Sequence, residues 1–557
     1  MDLDQHLKNL KRRVIPSDLD RILNMPRESS EGSEEAAARW TSALGLGGAT
    51  LRPIQGAKLD NVAKYGGGVG LMAVGSGKTL VALLAGAAAG AKTPVVVVPP
   101  SLVGQMKDEA EKWSKHFRFP PPVILSYGII STREEILNDL KPDLIVADEA
   151  HYLRHKTSTR TRRFLRYFRD HPRCKLLALS GTLTSKSLLD YAHILELALR
   201  DRAPIPLNRW ELERWASCVD PDGEPNASDL NRLAYLVAWS SQSNLTPVNK
   251  ESVRRAFRER LTSTPGVIVT TKSSCASSLY LNRHRPKHSA TVRDALKKLR
   301  EEWKTPDGEP IADASAKSRT FKNLATGFYY RWDWGESGED LEWLETRREL
   351  NRRVGHVLRY SPREGRDSPK LVMDWSRNGG GNDELRRVVL KWDAIKDRAN
   401  PTPAPVWICR EKIDYLENYL YDLSEPAILW YSSNAVGQAL ARLGVATHGA
   451  GSFPPSGDVC AASIAVHGKG RNLQMYSRCF ILEPPANGAT FEQLLGRTHR
   501  AGQNADAVWW DYFDFGDALK RAKAGAEYIE ATHGSPQKLN LATFLTTGDS
   551  PKTKKEK

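Results

Sequence analysis

Cysteine is scarce in this 557-residue sequence. Six stand at positions 174, 218, 275, 409, 460 and 479, and no two form a Cys-x-x-Cys pair. That spacing excludes a zinc finger or a disulfide framework and fits a reducing compartment. Long apolar runs are missing too. None approaches the ~18 residues of a bilayer-spanning helix, and the first residues, Met1-Asp2-Leu3-Asp4-Gln5-His6, are polar. A soluble, cytoplasmic protein with no membrane partner is expected. Acid is in deficit, with 66 Asp and Glu against 81 Lys and Arg and a net charge of +15. This imbalance favours a polyanionic partner, nucleic acid first.

Against these absences stands one glycine-rich stretch, Gly75-Ser76-Gly77-Lys78-Thr79, followed downstream by Asp148-Glu149-Ala150-His151. Only a glycine-rich turn lets backbone N–H groups close around phosphate oxygens. A lysine can then bridge the outer phosphates, and a hydroxyl can hold Mg²⁺. Splitting the triphosphate also requires a metal-orienting carboxylate and a group that positions water. Asp148 and Glu149 supply adjacent carboxylates at the end of an apolar run, Leu144-Ile145-Val146-Ala147. The flanks fit: Val69-Gly70-Leu71-Met72 reads as a strand feeding the loop, and residues 80–91 are rich in helix formers. Met72 stands where the full phosphate-loop pattern has glycine. The two stretches together predict ATP hydrolysis.

Residues 1–44 are charged and polar and read as a helical or loosely ordered leader. In 45–200 short apolar strands alternate with helical stretches. The strands are Val95-Val96-Val97-Val98, Val123-Ile124-Leu125, residues 144–147 and residues 176–179. Pro99-Pro100 ends the first of these, and Ser101 reads as the N-cap of a helix reaching Trp113. Such alternation predicts an open α/β sheet with ligands at the strand C-termini, where Lys78 and Asp148 fall. Residues 201–400 carry Arg, Glu, Trp and Leu at helical spacing and read as a largely helical insertion. Strand character returns in 401–515, at Val406-Trp407-Ile408, Ala427-Ile428-Leu429-Trp430, residues 462–466 and Cys479-Phe480-Ile481-Leu482. A second α/β lobe is expected there. Residues 516–557 read as a C-terminal helical extension with a basic tail.

Further stretches carry a resemblance. They are Leu51-Arg52-Pro53-Ile54-Gln55, Pro99-Pro100-Ser101-Leu102-Val103-Gly104-Gln105, Ser180-Gly181-Thr182 and, most specific, Gln493-Leu494-Leu495-Gly496-Arg497-Thr498-His499-Arg500-Ala501-Gly502-Gln503. With the two motifs above, the set resembles superfamily 2 DEAH-box helicases and translocases of the Swi/Snf type. The stretch from Glu301 through Gly327-Phe328-Tyr329-Tyr330-Arg331-Trp332 is similar to compact bacteriophage-encoded members. The resemblance implies two RecA-like parallel-sheet lobes with the helical insertion between them. It also implies ATP and Mg²⁺ as cofactors and DNA, duplex in particular, as partner. Replication or recombination proteins as further partners, and a bacterial host cytoplasm, follow from the likeness alone. Two departures stand out: Met72 replaces the family's Gly or Ala, and the fifth motif keeps Gly470-x-Asn472-Leu473 but opens on His467.

On that resemblance Gln55 reads adenine, while Gly75, Ser76, Gly77, Lys78 and Gly470 hold the nucleotide. Thr79 and Asp148 hold Mg²⁺, Asp148 through water. Glu149 orients and deprotonates the attacking water. His151, Ser180, Gly181 and Thr182 couple the nucleotide to nucleic acid, His151 bridging to Ser180 or Gln493. Gln493 begins the final motif. Arg497 and Arg500, at i and i+3 and on one face if helical, reach the γ-phosphate as arginine fingers. Ser101 and Gln105 belong to the nucleic-acid side. Residues 151–169 contain no acid and offer Arg160, Arg163 and Arg166 to phosphates, with a solvated helix face as the plain alternative. Tyr329, Tyr330, Trp332 and Trp334 read as core packing before base stacking. Two other functions share these residues: a strand-separating DNA or RNA helicase, and a nucleotide-gated scaffold without turnover. A scaffold has no chemical need for Lys78, Asp148, Glu149, Arg497 and Arg500 together.

Overall fold

Segments that are apolar at every position form strands buried on both faces, because successive side chains point to opposite sides of a sheet. In the computed structural model β1 (Gly68–Leu71), β2 (Pro94–Val98), β3 (Val123–Ser126), β4 (Leu144–Asp148), β5 (Lys175–Ser180) and β6 (Val267–Val269) build a parallel sheet in the order β3-β2-β4-β5-β1-β6. Val95 and Val97 of β2 enter one core with Ile145 and Ala147 of β4. Val96, Val98 and Val146 enter the other, beneath the helix Lys78–Ala89. Because β5 lies between β4 and β1, its end at Ser180 is wedged between the acidic pair and the phosphate loop.

A second parallel sheet follows. After β7 (Ser278–His284) comes an antiparallel pair, β8 (Phe328–Asp333) and β9 (Thr402–Trp407), that belongs to neither large sheet. Then come β10 (Ala427–Tyr431), β11 (Ala446–His448), β12 (Cys460–Ser463), β13 (Arg478–Ile481), β14 (Ala507–Phe513) and β15 (Thr543–Thr546), in the order β11-β12-β10-β13-β14-β7-β15. The architecture is α/β, with two RecA-like parallel-sheet lobes and a largely helical insertion. The structure describes residues 17–546 except 74, 157, 184–185, 242–245, 271–274, 361–368, 424, 450, 453, 455–456, 469–471, 486 and 515–517. Among the described residues no helix is long and apolar enough to cross a membrane.

Several expected boundaries move. Trp215, Val219, Phe257 and Leu261, from the stretch read as insertion, lie in the first-lobe core, and β6 and β7 join the first and second sheets. The helices Leu341–Tyr360, Pro369–Arg377 and Asp383–Ile395 have a core of their own. Trp332 and Trp334 pack edge-on against Trp343 there, as the core-packing reading expected. Residues 406–408 do not enter the second sheet; β9 pairs with β8 instead. Residues 462–466 do not form one strand, since β12 ends at Ser463 and the helical turn Ile464–His467 follows. Ser101 is not an N-cap: it sits inside the short 3₁₀ turn Pro100–Leu102, and Leu102 precedes the helix Val103–Ser114. Of the leader, Glu34–Leu44 is a helix capped by Ser33. The C-terminal extension adds β15, and its helix Ala518–His533 touches both lobes. Tyr528 joins the first-lobe core, while Ala522 and Ala526 join the second.

Lys58, on the helix Pro53–Tyr65, is fully buried. Its Nζ donates to the Val69 and Gly266 carbonyls, each at 3.0 Å, tying that helix to β1 and to the approach of β6. Burial, with the charge of Arg202 adding, lowers its pKa to about 7. A neutral amine has two N–H donors, which two carbonyls satisfy. Lys58→Met leaves both carbonyls without this donor and is expected to cost about 2 kcal/mol. The lysine's contribution is complete above the usual value of 10.5 and is lost as pH falls through about 7. The stability gap between parent and K58M, read from urea midpoints, therefore widens from pH ~7.5 to ~9.5. A gap that narrows contradicts a neutral Lys58.

Candidate active site

The loop after β1 is built by backbone geometry. Gly75 and Gly77 sit at φ +87° and +85°, the left-handed region that glycine occupies without strain. Gly77 precedes the helix Lys78–Ala89, whose N-terminal end points into the loop. Met72 causes no obstruction: its side chain is buried in the core beneath the loop, and its N–H donates to Ser180 O at 3.1 Å. Ala73 N–H donates to Thr270 Oγ1 at 3.1 Å. Lys78 Nζ donates to Met72 O at 2.9 Å, which holds the ammonium over the loop. The start of the helix Pro53–Tyr65 grips the other side. Arg52 Nη1 donates to Gly75 O at 2.8 Å and Gln55 Nε2 to Gly77 O at 3.2 Å. Ser76 is turned inward, its hydroxyl donating to Ala73 O at 2.7 Å.

Asp148 ends β4, and Glu149 follows at φ +54°. A non-glycine residue held in the left-handed region costs of order 1–3 kcal/mol, and such strain concentrates at functional sites. The turn is pinned by Glu149 N–H donating to Asp148 Oδ1 at 3.1 Å and by Tyr127 OH donating to Asp148 O at 2.9 Å. Asp148 is buried and Glu149 is partly buried. Burial and the neighbouring Glu149 charge push the Asp148 carboxyl up, against Lys78. Burial also raises Glu149, but Lys78, His151 and Arg497 outweigh it and hold it well below the usual carboxylate range. His151 Nδ1 lies 3.2 Å from Glu149 Oε2 and 3.4 Å from Ser180 Oγ. Ser180 Oγ donates onward to Thr182 O at 2.7 Å. A Cβ at Gly181 would sit a tight 3.3 Å from Met72 O.

The second lobe closes the site. Gln493 Nε2 donates across the gap to Glu149 Oε2 at 3.4 Å. The helix Gly488–Leu495 ends before Arg497 and Arg500, so the expected helical face is absent and both arginines stand on the turns beyond it. They still share a cleft of about 380 Å³ with Gln55, Gly75, Gly77, Lys78, Thr79, Asp148 and Glu149. Arg497 Nε donates to Gln493 O at 2.9 Å, and Arg500 bonds Asn472. Burial, then Arg500, lowers Arg497 to about 10 against the pull of Glu149, so it stays charged at neutral pH.

Other expected positions fall differently. Gln105 lines this cleft, and Ser101 is exposed outside it. Arg163 and Arg166 are occupied by Glu134, and Arg163 also donates to Ile130 O at 2.8 Å, so they form no free phosphate stripe. Arg160 donates to Tyr152 O at 2.8 Å and lines a separate cavity between the lobes. Gly470 lies outside the described residues, as does the tail 551–557. Glu109, Lys112 and Trp113 line the cleft unforeseen. With Gln105 they stand at i, i+4, i+7 and i+8, a helical face that the sequence does display. Lys538, whose Nζ lies 3.2 Å from His499 Nδ1, had no local signal.

Among the described residues no group of three or more His, Cys, Asp or Glu could hold a metal. The donors present, the Thr79 hydroxyl and two carboxylates, suit a hard cation that keeps most of its shell as water and phosphate oxygen. No protein-family model matches the chain, and no curated protein matches it. Gly77→Ala would force a Cβ into the left-handed region and against Gln55. A loss of about 1–2 kcal/mol of stability is expected, read as a lower unfolding midpoint. An unchanged midpoint contradicts the strained turn.

Proposed function

We propose that this chain hydrolyses ATP in the interlobe cleft and uses the cycle to translocate on DNA, duplex in particular. One observation carries the reading. Lys78, the Asp148–Glu149 pair, Arg497 and Arg500 come from opposite lobes and line one cleft. In this reading Thr79 and Asp148 would hold Mg²⁺, which would supply positive charge against the phosphates. Lys78 meets the outer phosphates, and Gln55, beside the loop, faces the base. Glu149 is ionised and accepts a proton from water, while His151 and Gln493 fix its orientation. Arg497 and Arg500 place fixed positive charge where the transferred phosphoryl gains negative charge. Because the arginines belong to the lobe opposite the loop, turnover requires the lobes together, which couples hydrolysis to lobe motion. The net charge of +15 supports a polyanionic track.

Steady-state ATPase assays with no nucleic acid, duplex DNA, single-stranded DNA and RNA test the reading. Duplex is expected to stimulate most. Stimulation by single strands or RNA alone contradicts the duplex assignment, and no turnover with any of them contradicts hydrolysis. Arg500→Ala is expected to lower kcat about 10³-fold or more and to leave ATP binding nearly intact. Glu149→Gln is expected to lower it about 10²–10⁴-fold. Parental turnover in either variant removes that residue from the mechanism.

A further inference from the structure

Beyond Glu149 a second cavity of about 210 Å³ opens between the lobes, sharing no lining residue with the first. His151 and Gln493, whose side chains both reach Glu149, line it. Its first-lobe wall carries Arg154, His155 and Arg160, its second-lobe wall Asn487 and Thr490, and among the described residues no carboxylate lines it. Arg154 Nε is held by His155 Nε2 at 3.0 Å and Arg160 Nε by Tyr152 O at 2.8 Å. Among the described residues neither guanidinium is ion-paired. The local field is positive. Burial, Arg154, Arg160 and Lys186 hold the His155 imidazole below its ordinary value against the opposing pull of Asp190. On the facing wall Asn487 caps the helix Gly488–Leu495 by accepting from Thr490 N–H at 3.1 Å, so the positive end of that helix meets the same space.

We infer that this cavity is a second phosphate-binding site, filled by the phosphodiester of a bound nucleic acid or by free phosphate, and coupled to Glu149 through His151 and Gln493. Guanidinium forks from one side and a hydroxyl with a helix end from the other suit a tetrahedral oxyanion, which accepts hydrogen bonds in several directions. A ligand held by both walls binds the closed lobes better than the open ones and shifts the population toward closure. The coupling rests on the proposed hydrolysis; the binding site does not.

The test compares Arg154→Ala and Arg154→Lys with the parent in a full-length Lys78→Ala background, which removes the phosphate loop as a competitor. Inorganic phosphate is titrated by ³¹P NMR and a short DNA duplex by fluorescence anisotropy at several salt concentrations. Arg154→Ala is expected to weaken phosphate binding about ten-fold, and Arg154→Lys only about two- to three-fold. If the phosphodiester is the ligand, Arg154→Ala also weakens duplex binding and lowers the salt slope by about 1. If free phosphate is, duplex affinity stays unchanged. Equal phosphate and duplex affinities in all three proteins overturn the proposal. The titrations need no turnover, so a chain that binds phosphate through Arg154 but never hydrolyses ATP defeats the proposed function and not this site.

Discussion

Two carboxylates side by side in a buried site are the constraint on which the rest of the structure depends. Taking an ion out of water costs several kcal/mol even after relaxation. One cation at ~4 Å returns about 4 kcal/mol at an effective dielectric constant of 20. Asp148 and Glu149 therefore need more than one cationic or hydrogen-bonding partner. Lys78 comes from the adjacent loop, His151 from the following turn and Arg497 from the other lobe. The strand order explains the first two. With β5 between β4 and β1, the carboxylates, Ser180 and Lys78 converge at one sheet edge. The third makes the acidic pair complete only when the lobes meet.

The arginine turn is correspondingly well anchored. Leu473 N–H donates to Arg497 O at 3.0 Å, and His499 Nε2 donates to Ser277 O at 2.7 Å. Lys538 approaches the other nitrogen of that histidine, and its own N–H donates to the buried Glu492 at 2.6 Å. Burial raises the Glu492 carboxyl to about 7. The end of the chain thus braces the residues on either side of Gln493 and Arg497. The preceding helix reaches into the first lobe, where Tyr528 OH donates to Asp220 Oδ1 at 3.2 Å and His533 packs edge-on against Tyr191. Lobe separation must disturb one end of this bridge.

Much of this was legible in the sequence where local chemistry dictates structure. Valine runs such as 95–98 have no polar face and must be buried on both sides, so the first sheet, β6 excepted, could be read directly. Gly75 and Gly77 announce a backbone that only glycine adopts easily. What stayed hidden depends on long-range pairing. β7 and β15 are alternating, ordinary-looking segments that become strands only beside β14 and each other. Residues 201–262 look like any amphipathic helical stretch until Trp215 and Phe257 meet the first core. Arg163 and Arg166 read as a phosphate stripe because Glu134, distant in sequence, could not be seen to pair with them. Lys538 was invisible for the same reason.

The most direct measurement counts the protons released when Mg²⁺·ATP binds. Burial and the Glu149 charge push the Asp148 carboxyl up, and a cation in the cleft would lower it again and release protons. Titration calorimetry at about pH 6, in buffers of different ionisation enthalpy, is expected to show more proton release by the parent than by Asp148→Asn. Equal proton counts in the two proteins, or no binding heat in the parent, contradict a nucleotide site at these carboxylates.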